Sequence, residues 1–223
     1  MSILFVLMMF LVVMIVSYFL NPESHRATVR PALATHASPQ HPRMQSEMGF
    51  QVPAGYSFHP GHTWALKEGP DTVRVGIDAF ATNLLGKIDG IQMIGTNRWV
   101  RQGQKLMTVH SGDSSVELLS PIEGMVAEVN QKALEDPKVI GRDPYKDGWI
   151  AMVKAPDLAI NQKNLVQGAM VAPWLQNNVS RLSTMLAPLS PALAQDGGLP
   201  VEGLLKQLPH ELRQQVIASF FLN

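Results

Sequence analysis

The sequence predicts a mainly β protein: a sandwich or flattened barrel with short flanking helices, preceded by one amino-terminal transmembrane helix and followed by a carboxy-terminal amphipathic helix. Three observations predict this. Between Gln51 and Asp157, short alternating apolar runs recur at even spacing with Gly and Pro between them. Ile3–Leu20, ILFVLMMFLVVMIVSYFL, is apolar apart from Ser17 and Tyr18 and carries no charge. From His210 to Leu222, helical spacing puts Leu212, Val216, Ile217, Phe220 and Phe221 on one side.

Taken in order, Ile3–Leu20 would span roughly 27 Å as a helix, just enough for a hydrocarbon core. It lacks the basic start and small-residue cleavage site of a secretory signal, so residues 1–20 are expected to be an uncleaved anchor. Arg26, Arg30 and Arg43 follow the anchor, and no Lys or Arg precedes it. The positive-inside rule then predicts a single-pass cell-membrane protein whose main domain faces the cytoplasm. Residues 21–50 are rich in Pro, Ser, His and Arg and are expected to form a flexible tether.

Residues 51–186 are the expected folded domain. Val73, Val75 and Ile77 alternate along one strand. Ala79–Gly86 reads as a helical turn with Phe80, Leu84 and Leu85 on one face and Gly86 ending it. Strands are expected over Ile88–Ile94, after the Gln102-Gly103 turn, over Met125–Asn130 and over Trp149–Lys154. Asp136-Pro137 and Asp143-Pro144 break the connection before the last of these. Ile160–Leu186 is helical in period, with Leu165, Met170, Val171, Trp174, Leu175, Val179 and Leu182 on a broad face and Pro173 a point of division. Residues 187–223 are a Pro/Gly linker, Ala187–Pro200, followed by the amphipathic helix.

Composition excludes several function classes. Lys+Arg and Asp+Glu are both 18, so no net field draws the chain to nucleic acid. The absence of cysteine removes disulfides, thiolate metal sites and cysteine nucleophiles. His59 and His62, with His25, His36 and His41, are the residues a metal site would use. No Cys or nearby carboxylate supports one, so no metal is expected and His62 is read as a packing or hydrogen-bonding residue. Val109–Gly124, VHSGDSSVELLSPIEG, reads as two strands around a Gly112-Asp113 turn. His110, Ser111, Asp113, Ser114 and Ser115 there resemble a hydrolase set in composition. Hairpin neighbours point to different faces, so no catalytic residue is assigned.

A set of motifs in register carries a resemblance. His62-Thr63-Trp64, Val75-Gly76-Ile77, Phe80-Ala81, Leu85-Gly86, Pro121 with Gly124, Glu128-Val129-Asn130, Asp143-Pro144-Tyr145 and Gly148-Trp149 follow one another between Tyr56 and Leu182. This stretch resembles the H protein of the glycine cleavage system, which implies a lipoyl-domain-like fold, a barrel-sandwich hybrid. In that family a lysine at the hairpin tip takes lipoic acid in amide linkage. The resemblance puts Asp113 at the lysine's position, His110 at a preceding glutamate's and Ser111 at a serine's. A carboxylate offers no nitrogen to acylate, and the nearest lysine, Lys105, starts the incoming strand.

The expectation is therefore a membrane-anchored module that is not an enzyme, holds no cofactor and is not lipoylated at Asp113. It would act as a binding or scaffold subunit of a membrane-associated complex, with the membrane met through Ile3–Leu20 and with protein partners. The alternative is a glycine cleavage H protein passing an aminomethyl group between enzymes.

Overall fold

The structure, a computed structural model, describes residues 6–12, 44–187 and 201–222. The chain divides into two units, Met1–His41 and Pro42–Asn223. In the first, residues 6–12 are helical (α1). They cover about 10 Å, a third of a hydrocarbon core. Among the described residues no helix is long and apolar enough to cross a membrane. This overturns the expectation of a single-pass cell-membrane protein facing the cytoplasm. The remainder of Ile3–Leu20, the tether up to residue 43 with its three histidines, and linker residues 188–200 lie outside the described residues.

The second unit is a mainly β sandwich with short helices. A two-stranded sheet pairs β1 (Met44–Glu47) with β2 (Phe50–Pro53), so strand structure begins inside the segment expected as a tether. A seven-stranded antiparallel sheet follows, in the order β12-β3-β4-β5-β11-β10-β7. Its strands are β3 (Ser57–Phe58), β4 (Thr63–Lys67), β5 (Thr72–Ile77), β7 (Trp99–Val100), β10 (Gly124–Val129), β11 (Trp149–Lys154) and β12 (Val166–Gln167). A third sheet, β6-β8-β9, joins Gly90–Met93, Lys105–Ser111 and Ser114–Leu119. Alternation along β5 and β9 sends Val73, Val75, Val116 and Leu118 into one shared core.

Close backbone contacts explain the glycines that matter most. The Trp64 indole lies close against Gly76 and donates from Nε1 to the carbonyls of Ile77 (2.9 Å) and Pro144 (3.1 Å). A Cβ at Gly76 would clash with Trp64 Cζ2. Tyr145 ties the loop before β11 to the core: its hydroxyl accepts from Ala79 N at 3.1 Å, and its carbonyl accepts from Tyr56 at 2.7 Å. Burial pushes Tyr56 up to about 12 and raises Tyr145 well above the usual phenol value.

The helices depart from expectation in places. α2 (Ala79–Leu85) starts at Asp78, whose carboxylate accepts from Ala81 N, and ends at Gly86 with φ 65°. The Asp-Pro segments carry two short helices, α3 (Gln131–Glu135) and α4 (Lys138–Arg142). Ile160–Leu186 is not one helix. It comprises the end of α5 (Leu158–Gln162), strand β12 paired with β3, a 3₁₀ turn and α6 (Val171–Leu186). Gly168, with φ 54°, marks the break. Pro173 falls in the first turn of α6, where its missing N–H costs nothing, so it does not divide the helix. Met170, expected on the apolar face, is exposed.

The carboxy-terminal segment folds back onto this unit as α7 (Leu204–Gln207) and α8 (His210–Phe221). Val216, Ile217, Phe220 and Phe221 are buried in the same core. The tail helix therefore docks on its own domain. Arg181 of α6 sits 5.1 Å over the Phe220 ring.

Two outcomes are expected. Gly76→Ala should destabilise the fold by roughly 1–3 kcal/mol in urea unfolding, because the indole must move off its carbonyl partners. Burial, helped by the neighbouring His62, pushes His59 down to about 4. The neutral ring is the form that fits, since Nδ1 accepts from Gly61 N at 3.0 Å. An unfolded His titrates near 6.5, so this contribution is complete above that value and is lost as pH falls from there toward about 4. Urea midpoints measured from pH 7.5 to 5 should fall more steeply for the wild type than for His59→Gln.

Candidate functional site

The β8–β9 hairpin has the geometry its sequence predicts. His110 pairs with Ser115, Ser111 pairs with Ser114, and Gly112-Asp113 forms the two-residue connection. Gly112 has φ 58°, and Asp113 is not among the positive-φ residues, which fits a type II′ turn. Asp113 is exposed at the tip.

The tip is held from below rather than by its own side chains. Gly112 N donates to Asp89 Oδ2 at 2.8 Å. That bond, with Lys87 beside it, holds the Asp89 carboxyl below the usual range. The buried Ser111 hydroxyl lies 2.8 Å from the Leu85 carbonyl and 2.9 Å from that of Lys87. It thus fastens the end of β8 to the end of α2. Ser114 Oγ accepts from Arg213 Nη1 at 3.1 Å.

His110 Nδ1 and Ser115 Oγ are 2.8 Å apart, because they are cross-strand partners. The expectation that these neighbours would not meet holds for Ser111, Asp113 and Ser114 but not for this pair. Ser111 and Ser114 are engaged elsewhere, and Asp113 stands at the turn. Lys105 opens β8 six residues before Ser111, about 20 Å along the strand. There it pairs with Glu117. His62 is fully buried, its Nδ1 2.7 Å from Asp78 Oδ2. Its ring stacks on Phe80 and Trp174, at 4.4 and 4.9 Å between centroids. His59 is buried too, bonded to Gly61.

Sequence reasoning missed Lys206. Its Nζ donates to the Lys87 carbonyl at 3.2 Å and lies 3.9 Å from Asp89 Oδ2. Its Cε stands 3.5 Å from where a Cβ on Gly112 would be. A lone lysine in a four-residue helix leaves no signal of this in the sequence.

This hairpin and its supports lie on a fold that comparison with known proteins identifies. The family model described as glycine cleavage H-protein matches residues 56–178. The chain belongs to the glycine cleavage H-protein family. It is similar to the glycine cleavage system H protein of Coprothermobacter proteolyticus, 32% identical over 110 residues, 49% of this chain and 87% of that one. The corresponding protein of Thermobifida fusca is 40% identical over 104 residues, 46% of this chain and 81% of that one. Among solved structures, a glycine cleavage system H protein from Mycobacterium marinum aligns with a TM-score of 0.49 and 27% identity, over 57% of this chain and 98% of that one. Members of this H-protein family are lipoyl carriers rather than catalysts, so the chain is not an enzyme. The match lies wholly outside Ile3–Leu20 and lends no support to a membrane-spanning reading.

The hairpin yields a paired prediction in urea unfolding. Ser111→Ala should cost about 1–3 kcal/mol, because it strips a buried hydroxyl from two carbonyls. Asp113→Lys should stay within about 0.5 kcal/mol of the wild type, because the side chain stands in water.

Proposed function

We propose that this chain is a non-lipoylated H-protein module, a non-catalytic binding or scaffold subunit of a protein complex. One observation carries the reading: the exposed tip of the hairpin presents Asp113. Acylation to an amide needs a nucleophilic nitrogen, and a carboxylate has none. In the resemblance, Asp113 stands where the family has its lipoyl lysine. The hairpin's one lysine, Lys105, is at the strand's far end in an ion pair. The fold of the body is independent of that side chain. Its core and its hairpin supports are built from other residues, so a docking surface persists without a carried group.

The second reading is a glycine cleavage H protein that carries an aminomethyl group. The names of the relatives support it, and they do so better than they support a scaffold role. Against it stands the need for a dithiol arm on an amine at the tip.

Reconstitution separates the two. The purified chain, pre-incubated with a lipoate ligase, lipoate and ATP, replaces the H protein in a mixture of the other glycine cleavage enzymes. Release of carbon dioxide from glycine is then followed. The proposed reading expects no release above the mixture lacking any H protein. Release approaching that of an authentic H protein would establish the second reading instead.

A further inference from the structure

The family match ends at residue 178, and the tail described here begins at 201, so α7 and α8 are additions to the shared body. In the Coprothermobacter relative the matched residues are 87% of the protein, which leaves too little chain for a tail and an amino-terminal segment of these lengths. In this protein the tail lies against the body beside the hairpin tip. Gly203 N donates to the Asn83 carbonyl at 2.8 Å, and a Cβ on Gly86 would come within 2.5 Å of Gly203 Cα. Lys206 leans over Gly112, and Arg213 reaches Ser114. At the other end the Phe221 carbonyl would lie 2.9 Å from a Cβ on Gly61. Beneath these contacts Leu204, Leu205, Leu208, Val216, Phe220 and Phe221 are buried.

The tail's helices have little to hold them apart from this docking. Neither α7 nor α8 has a side-chain cap at its amino terminus. Arg213 bonds to Ser114 and to the Leu208 carbonyl, yet its Nε is buried without a partner among the described residues. Lys206 places its polar contacts on Lys87 and Asp89, the segment that holds Gly112; Arg213 bonds to the hairpin at Ser114; and the Ser219 carbonyl accepts from Arg181 of α6 at 3.3 Å. The connection to α6 is the Pro- and Gly-rich Ala187–Pro200.

We propose that residues 201–222 are an intramolecular strap that closes one flank of the β8–β9 hairpin and opens as a unit while the body stays folded. Closed, it keeps that flank from any macromolecule that would grip the hairpin on both sides. Open, it presents the hairpin flank and the apolar floor around Phe80 together. The inference rests on the family assignment and is independent of whether the tip carries lipoate.

The absence of cysteine makes a matched test available in the full chain. Val216 in α8 and Val75 in β5 are both 0% exposed, so Val216→Cys and Val75→Cys differ in location and not in chemistry. Each is labelled with a thiol reagent under native conditions and followed by mass spectrometry. The strap predicts labelling at position 216 at least ten times faster than at 75, after correction for any difference in the two variants' unfolding midpoints. Adding Lys206→Ala should accelerate labelling at 216 and leave 75 unchanged. Equal corrected rates at the two positions would mean that the tail opens only when the whole unit unfolds, and would overturn the proposal. So would a Lys206→Ala effect of the same size at both positions.

Discussion

Asp78 holds two parts of the molecule with its two carboxylate oxygens. Oδ1 accepts from Ala81 N and caps α2; Oδ2 meets His62 Nδ1. The His62 carbonyl accepts from Asp78 N in turn, and His62 adopts a positive φ of 62° to bring its ring inward. That ring lies between Phe80 of α2 and Trp174 of α6, with Phe220 and Phe221 of α8 around it. Asn178 of α6 approaches its Nε2 at 3.4 Å. One buried polar pair therefore sets the start of α2, the seat of α6 and the floor under the tail. Removing either partner would strand the other in an apolar surround, which is why such pairs are costly to break. The end of α2 in turn supplies the Leu85 carbonyl that fastens Ser111, so the hairpin's position depends on the same pair.

Much of this was legible in the sequence, for identifiable reasons. Alternation in DTVRVGI and the turn residues around Gly112-Asp113 encode β5 and the hairpin locally, so both come out in place. The amphipathic tail was legible as a helix, but its docking partner was not. The surfaces it meets come from α2, β9 and His62, far away in the chain. The division of Ile160–Leu186 was missed because apolar spacing alone does not reveal that Val166–Gln167 is claimed by β3. Asp78 as a cap was overlooked, although it stands directly before the expected Ala79–Gly86 turn. At the candidate site, the place of Gly112-Asp113 at the turn was readable from the sequence. The support of the tip was not, because Asp89, Ser111 and Lys206 act through backbone groups distant in sequence.

The fold and the tip give different information about function. The body is that of an H protein, matched over residues 56–178, and its core makes no use of the side chain at position 113. The names of the relatives point to carriage, while Asp113 points to docking without carriage. The tail adds a layer outside the family match; Arg213 bonds to Ser114 of the hairpin, and Lys206 bonds to Lys87 in the segment that supports its tip. On the proposed reading, a hairpin with no amine at its tip and one flank covered serves contact rather than the presentation of a long swinging group.

The central claim is that the hairpin tip carries no lipoyl group, and the intact mass of the chain isolated from the cells that make it tests this most directly. The account predicts a mass attributable to the polypeptide alone, with unmodified peptides covering Lys87, Lys105 and Lys206. A lipoyl amide on any lysine would contradict it and return the protein to the carriers of its family.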